Sequence, residues 1–313
     1  MFDDKPLLGI LLMLGFCIVA PLGDAVAKLI GQSVALGPML LLRFAVQVVL
    51  LAPFIVLSLR PWRLSPRVLG FCALRTGLHM AGIGLMFTAL HHMPLADAIA
   101  IVFVLPFLNL FLGRVLLNET VGAARLFACI VGFTGTLFVI QPSFAAVGWY
   151  ALLPLLVALL FSGFMLITRH ISQETDPIGL QFISGLMATA FMLPLFVLGS
   201  AAELGDLTWA TPNSLEWGLL LAVGALGTLA HLLMTWSLRY APSATVSPIQ
   251  YVEIPIAALI GLLIFSNLPN ALASFGMSLT IAAGLFTMFV EGTSQRRSPK
   301  EPPSPRPVPT AAE

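Results

Sequence analysis

The chain has 313 residues, of which 58 % are hydrophobic and only 9 % are charged, and its formal net charge is +1. Together with a mean hydropathy of +0.99, this composition excludes a soluble globular domain. We therefore expect the lipid bilayer to be the main solvent of the chain, and we expect no nucleic-acid partner.

Ten apolar segments follow one another along the chain. A bilayer core about 30 Å thick is crossed by about 20 helical residues, because every backbone polar group must be hydrogen-bonded within the segment. The predicted helices span residues 7 to 30, 36 to 59, 68 to 90, 95 to 116, 122 to 140, 148 to 168, 177 to 199, 216 to 238, 243 to 265 and 271 to 290. Turn residues separate them, for example Gln141-Pro142-Ser143. The predicted fold class is an all-α membrane protein with ten transmembrane helices.

Basic residues fall on alternate loops of this arrangement. One set of helix ends carries Lys5, Arg60, Arg63, Arg67, Arg114, Arg125, Arg169, Arg239, Arg296, Arg297, Lys300 and Arg306. The intervening loops at 31 to 35, 91 to 94, 141 to 147, 200 to 215 and 266 to 270 contain no Lys or Arg. By the positive-inside rule, both termini are predicted to be cytoplasmic. Compact loops and a start without a signal-peptide cleavage site suit a bacterial inner membrane.

An internal similarity divides the chain into two halves. MFTALHHMP at 86 to 94 aligns with MTWSLRYAP at 234 to 242. After a shift of one residue the alignment continues and places Pro106 opposite Pro255. We predict five-helix repeats at 7 to 140 and 148 to 290, between a cytoplasmic N-terminus at 1 to 6 and a disordered cytoplasmic tail at 291 to 313. Because five is odd, the repeats would have opposite polarity in the membrane, as in secondary transporters.

Several short motifs resemble one family. LLRF at 41 to 44, LLNE at 116 to 119 and Gly-x-x-Gly at 132 to 135, set in two five-helix halves, are similar to the EamA-type drug/metabolite transporter superfamily. Asp24-x-x-x-Lys28 followed by LLRF most resembles the branch with bacterial S-adenosylmethionine and riboflavin carriers. Amino-acid exporters share the same fold. The resemblance implies transport of a small metabolite.

Six ionisable residues lie inside the apolar segments, each costing about 2.5 to 3.5 kcal/mol near a helix centre. They are Asp24, Lys28, Arg43, Arg75, Asp97 and Glu253. Asp24 and Lys28 share a helix face and form either a structural pair or part of a site. Arg43 requires a permanent partner, which is either Asp97 in a structural clasp or a substrate anion. Arg75 is expected to snorkel towards the cytosolic interface rather than bind a ligand.

Glu253 lies near the middle of the ninth predicted helix, within the sequence PIQYVEIP. Gln250 and Tyr251 add polar groups there, and Pro255 interrupts the helix. The fourth helix is similarly interrupted by Pro106, with Asn109 one turn further on. Proline-broken segments at corresponding positions of two repeats indicate a transporter site. We therefore predict a substrate cavity between helices 4 and 9, closed by helices 1, 3, 6 and 8, with both prolines as hinges. A hydrogen-bonded structural glutamate is the alternative for Glu253.

Two histidines, His79 and His231, lie at a similar depth. Either each is a neutral core residue, or one relays a proton with Glu253. Tyr251 and Trp236 either stack on a planar substrate or pack in the core. Cys17, Cys72 and Cys129 form no pair or ligand spacing, so neither a disulfide nor a metal site is predicted. Gly132, Gly135, Gly276 and Gly284 are expected to bring helices together.

The resulting hypothesis is a secondary transporter of a small polar or amphiphilic metabolite that works by alternating access. No ATP-binding glycine loop occurs in the sequence, and no cofactor is expected. Glu253 would exchange a proton during the cycle, and the protein would be a monomer or homodimer. A non-transporting membrane sensor or scaffold is one alternative class. An intramembrane enzyme is another, but no nucleophile-base motif supports it.

Overall fold

A computed structural model describes residues 6–57, 63–105, 107–108, 123–172, 174–202, 205–241 and 246–297. Within these ranges the chain is helical and contains no β-strand. The α-helices are α1 (Pro6–Ile30), α2 (Leu36–Leu57), α3 (Pro66–His92), α4 (Leu95–Val102), α5 (Ala123–Val147), α6 (Leu153–Ser172), α7 (Pro177–Ala201), α8 (Ser214–Tyr240), α9 (Glu253–Phe265) and α10 (Ala271–Arg297). Short 3-10 helices occupy Gly148–Leu152, Gly205–Leu207 and Ser247–Val252.

Three of the long helices begin at the polar residues that their sequences supply as caps. The Ser65 side chain accepts from the Val68 amide at the start of α3. Asp176 accepts from two backbone amides of α7. Asn213 and Glu216 form a reciprocal capping box at the start of α8. Each cap satisfies amides that have no partner within their own helix.

The break between α5 and α6 differs from the predicted turn at Gln141-Pro142-Ser143. The α5 helix continues through Pro142 as far as Val147. The chain turns instead at Gly148, whose φ of 64° is a backbone conformation that glycine adopts without steric cost. The predicted position of the turn was wrong because the tendency of Pro142 to break a helix is a preference that packing can override.

The observed bounds of the fourth and ninth helices also differ from the predicted ones. The α4 helix ends at Val102, and most of the remaining predicted segment lies outside the described residues. The predicted ninth helix is a 3-10 turn, Ser247–Val252, followed by α9 from Glu253. At the other end, α10 extends to Arg297. The predicted disordered tail is therefore helical at 291–297, and its remainder lies outside the described residues.

Six stretches are long and apolar enough to cross a membrane among the residues described. They are Leu7–Ile30, Leu36–Leu57, Pro66–His92, Ile130–Ser172, Pro177–Ala201 and Ser214–Tyr240. The turn at Gly148 divides the 43-residue stretch Ile130–Ser172 between α5 and α6. Large apolar side chains on the outer helix faces are exposed, for example Leu7, Val56 and Leu263, each by at least 70 %. These features identify a multi-pass membrane protein whose outer surface faces lipid.

The helices pack in a pattern that is unchanged when α1–α5 are exchanged with α6–α10. The α1 helix packs on α8 just as α3 packs on α6, and α2 packs on α8 just as α7 packs on α3. The pairs α2 with α7, α4 with α9 and α5 with α10 map onto themselves. In the last pair, Gly135 lies so close to Gly276 and Thr280 that an added Cβ would be 2.6 Å from the Thr280 hydroxyl. The prediction of close contact between these helices is confirmed for Gly135 and Gly276, whereas Gly132 meets the Phe107 ring and Gly284 the Tyr251 ring.

Two pairs with extensive contacts, α1 with α8 and α3 with α6, run antiparallel. Gly9 near the start of α1 lies against Ala241 just after α8, and Gly23 lies against Leu226. In the other pair, Leu78 of α3 lies against Gly163 of α6. The start of α8 therefore lies at the end of α1, and the start of α3 lies at the end of α6. A central space remains between the two pairs.

Candidate functional site

A cavity occupies this central space. Side chains of α1, α2, α3, α4, α6, α8 and α9 line it, together with the 3-10 turn before α9. Of the predicted site residues, the cavity is lined by Asp24, Arg43, His79, His231, Gln250 and Glu253. Its remaining walls are mainly apolar and include Phe16, Phe87, Phe103 and Phe161. A few polar groups converging in a largely apolar space are typical of a small-molecule site.

Arg43 is the cation of the cavity. Its side chain is only 5 % exposed, and its Nη1 has no hydrogen-bond partner among the described residues. The guanidinium lies against Gly227 of α8 and 5.1 Å from the centre of the Phe44 ring. Because guanidinium stays charged, this position requires an anion. The charge that acts on it is that of Asp24 on the facing helix.

Of the two alternatives for Arg43, the structure does not form the clasp with Asp97. Asp97 does not line the cavity, and its Oδ2 accepts a hydrogen bond of 3.1 Å from Ser143 of α5. Its Oδ1 has no partner within the described part of the chain. Depth along a helix, which the sequence provides, does not determine the direction of a side chain around the helix axis. Asp97 therefore lies at the right depth but ties α4 to α5.

Two carboxylates share the cavity with Arg43. Glu253 is the first residue of α9, and its backbone amide donates to the carbonyls of Gln250 and Tyr251 in the preceding 3-10 turn. Asp24 and Glu253 both line the cavity, so a proton or a cationic group bound there would relieve the repulsion between two ionised carboxylates. Gln250 lies one turn before Glu253 in the 3-10 segment, where its side chain is buried. The cavity therefore offers one cationic and two acidic groups.

His79 and His231 form a direct pair across the cavity. Their Nε2 atoms are 2.9 Å apart, and the ring centres are 4.1 Å apart. Only one of these two nitrogens carries the shared hydrogen, so the rings adopt different tautomers when both are neutral. Neither Nδ1 has a partner among the residues described. The pair is enclosed by aromatic rings, with Phe164 centred 4.7 Å from His79.

A buried polar layer lies behind the cavity. Arg75 is completely buried, donating 2.7 Å hydrogen bonds to Thr168 and Ser184, and its guanidinium lies 4.4 Å from the Phe164 ring centre. The prediction that Arg75 snorkels is wrong, because neighbouring helices supply acceptors inside the protein. Gln181 donates to the His231 carbonyl at 3.1 Å. This layer fixes the backbone that carries the histidine pair.

Other predicted site residues point elsewhere. Lys28 does not line the cavity and donates to the Leu90 and Met93 carbonyls at the end of α3. Tyr251 packs against Gly284, with its ring 5.3 Å from that of Phe103.

Trp236 packs beside the apolar cluster of α2, α7 and α8. Pro255 lies in the first turn of α9, where a missing amide removes no helical hydrogen bond. Asn109 and Pro106 lie outside the described residues. Cys17 and Cys72 are free and buried.

The sequence alone did not reveal three features of the structure. The histidine pair joins residues separated by 152 positions, and no motif links them. The aromatic walls contributed by Phe16 and Phe161 have the same spacing as ordinary core residues. The position of Arg169, which donates to the Leu238 carbonyl at 2.6 Å, was likewise treated only as a loop charge.

Comparisons with known proteins identify similar transporters. The model of the EamA-like transporter family matches residues 7–141 and again residues 148–289. A riboflavin transporter of Rhizobium johnstonii is 31 % identical over 237 residues, covering 76 % of this chain and 73 % of the relative. An S-adenosylmethionine uptake transporter of Rickettsia prowazekii is 24 % identical over 281 residues, covering 88 % and 91 %. A solved crystal structure shares the fold with a TM-score of 0.61 at 14 % identity, covering 94 % of this chain and 98 % of the other.

Proposed function

Because the chain belongs to the EamA-like transporter family, we propose that it is a secondary active transporter of a small polar or amphiphilic metabolite. The observation that carries the proposal is Arg43, a buried cation with an unpartnered nitrogen that lines a cavity shared with two carboxylates. A substrate that brings an anionic or acceptor group to Arg43 would satisfy it. Asp24 lines the same cavity and supplies an opposite charge, while the free Nη1 of Arg43 leaves a donor for a substrate group.

The substrate class follows from the walls of the cavity. Phe16, Phe103 and Phe161 suit a planar or apolar body, whereas Arg43 and the two carboxylates suit a zwitterionic or polar group. A vitamin-like or cofactor-like compound, such as riboflavin or S-adenosylmethionine, or an amino acid fits this description. The names of the two relatives support the first of these classes.

Proton coupling is assigned to the acidic side of the cavity. Glu253 and Asp24 line the same cavity, and one of them would bind a proton when substrate is absent. His79 and His231 line the same cavity, and one of the two would relay a proton with Glu253. Proton binding at Glu253 in exchange for substrate would link the substrate gradient to the proton gradient.

Alternating access is supported by the exchange symmetry of the helix contacts. Repeats at 7 to 140 and 148 to 290, each with five membrane-crossing helices, would have opposite polarity and would open the cavity to one face at a time. Bending at Pro106 and at the junction before Pro255 would accompany the change. With both termini cytoplasmic, the protein would reside in a bacterial inner membrane as a monomer or homodimer.

Flux into proteoliposomes tests the proposal. Purified protein would be reconstituted and assayed with labelled riboflavin, S-adenosylmethionine and amino acids, with and without an imposed proton gradient. We expect one class to be taken up with a rate that depends on the gradient. Glu253→Gln should keep binding and exchange but lose the dependence on the gradient. Absence of flux in every class, or an unchanged gradient dependence in the variant, would contradict the proposal.

A further inference from the structure

Two basic side chains cap the ends of two different helices. Lys28 Nζ of α1 donates to the carbonyls of Leu90 and Met93, the latter at 2.6 Å, where α3 ends. Arg169 Nη1 of α6 donates to the Leu238 carbonyl at 2.6 Å and to the Ala241 carbonyl at 3.3 Å, where α8 ends. The last carbonyls of a helix have no helical partners and carry its partial negative charge, so a cation is stabilised there.

The two caps are equivalent under the internal repeat. The alignment of 86 to 94 with 234 to 242 pairs Leu90 with Leu238. In each half, the cation comes from the first helix and the capped end belongs to the third helix. The sequence repeat and the hydrogen bonds identify this correspondence independently.

The caps lie at opposite ends of the molecule. Ala241, in the Arg169 cap, contacts Gly9 near the start of α1, whereas Lys28 lies near the end of the same helix. At a rise of about 1.5 Å per residue, Gly9 and Lys28 are separated by about 29 Å along α1. One cap therefore lies near each face of the membrane, and the cavity lies between them.

Each cap adds a link between two bodies, α1 with α8 and α3 with α6, which also meet through α2 and α7. The extensive contacts pair α1 with α8 and α3 with α6. Lys28 links α1 to α3 at one end, and Arg169 links α6 to α8 at the other. Between the ends, the His79–His231 pair also connects α3 with α8. A rocking motion of one body against the other would separate one cap while preserving the other.

We propose that Lys28 and Arg169 are reciprocal gate residues, each closing the cavity at its own end. This inference rests on the proposed alternating-access cycle. Both caps are formed in the structure, so neither gate residue is released from its helix end. Release of Lys28 from the end of α3 opens the cavity to that face, and release of Arg169 from the end of α8 opens it to the other.

The chemistry of the caps suits a gate. Within the described part of the chain, neither cation pairs with a carboxylate, so opening separates a cation from helix-end carbonyls rather than from a full negative charge. Both Lys28 and Arg169 are only partly buried, so water replaces the lost hydrogen bonds when a cap opens. A fully buried ion pair would leave an uncompensated charge when broken.

A cysteine in the cavity reports which end is open. Gly82 lines the cavity, and a Cβ added there meets only Leu160, at 3.9 Å. Gly82→Cys would be placed in a background with Cys17, Cys72 and Cys129 replaced by Ala. A membrane-impermeant maleimide would then be applied to each face of reconstituted vesicles in turn, and the labelling rate would be measured without substrate.

Removing one cap should open one face only. Lys28→Met is expected to raise the labelling rate from the Lys28 face by about tenfold or more, because two hydrogen bonds to a charged donor are lost. The rate from the other face should not rise. Arg169→Met should give the reverse pattern. A role in general stability would change the two faces together.

Matched variants separate gating from misfolding. Lys28→Arg and Arg169→Lys keep a cation at each cap and should label at rates close to those of the unsubstituted reporter. Arg67→Met removes an exposed base at the Arg169 end that contacts His170 at 3.4 Å, and it should change neither rate. Equal increases from both faces, or no increase in either methionine variant, would overturn the inference. One-sided shifts in a protein without flux would retain the gates and reject the transport function, whereas flux without such shifts would reject the gates alone.

Discussion

Arg43 and Arg75 are both arginines buried inside the helical bundle, yet their surroundings differ. Arg75 donates two 2.7 Å hydrogen bonds to hydroxyl groups through Nε and Nη1 and lies over an aromatic ring, although its Nη2 has no partner among the described residues. Arg43 donates no hydrogen bond among the described residues and lines the cavity. Burial alone therefore does not separate a structural charge from a functional one. The difference is whether the protein supplies the partners or leaves them to a ligand.

The largest expected effect is on transport by Arg43→Gln. Glutamine retains a polar side chain but removes the cation that would hold the substrate. We expect uptake in proteoliposomes to fall about 100-fold, the size of a lost charged contact, while the thermal unfolding midpoint stays near that of the parent. A collapse of the midpoint would instead assign Arg43 a structural role like that of Arg75.

Arg75→Met tests whether the second arginine of this comparison has a structural role. Methionine fills similar space but leaves Thr168 and Ser184 without their donor. We expect the free energy of unfolding to fall by about 2 kcal/mol, which a lowered thermal midpoint in detergent would record. Substrate affinity of the folded protein should remain within about twofold of the parent, since Arg75 does not line the cavity. A large loss of substrate affinity with unchanged stability would contradict the structural role of Arg75.

Gly227→Ala tests the position of Arg43 without altering its charge. A Cβ at this residue would lie 2.7 Å from Nη2 of Arg43, so the guanidinium must move. We expect binding to weaken about tenfold, because the charged contact would be misaligned. Gly218→Ala in the same helix is the control, since a Cβ there meets nothing within 4 Å. Equal affinities in the two variants would show that the position of Arg43 is unimportant.

The smallest effect is expected at the histidine pair. His231→Asn removes the hydrogen bond to His79 while keeping a polar group. We expect the transport rate to fall about threefold, the size of one neutral hydrogen bond, with a flatter dependence on pH. Rates measured between pH 5.5 and 8.5 would show this change. An unchanged pH profile would leave proton exchange to Glu253 and Asp24 alone.

The sequence predicted much of this arrangement because ionisable groups inside apolar segments are costly and therefore conspicuous. Asp24, Arg43 and Glu253 were selected in this way, and all three line one cavity. Lys28 and Asp97 were selected by the same rule but point elsewhere. Hydropathy gives depth along a helix, but rotation about its axis depends on the neighbouring helices.

The remaining differences have a similar origin. The turn after α5 was assigned to Pro142, whereas Gly148 makes it, because local preferences yield to packing over a few residues. The contact between His79 and His231 depends on the pairing of α3 and α8 across the two halves. No local pattern encodes a contact of that kind, and only the assembled bundle reveals it.

Ligand-induced thermal stabilisation of the purified protein tests the central claim most directly. Riboflavin, S-adenosylmethionine and amino acids would be titrated against the parent, Arg43→Gln and the surface control Arg67→Gln. The account predicts that one of these classes raises the unfolding midpoint of the parent and of the control, and that this shift is lost in Arg43→Gln. A ligand that stabilises the parent and Arg43→Gln equally would contradict the assignment of the cavity as the substrate site.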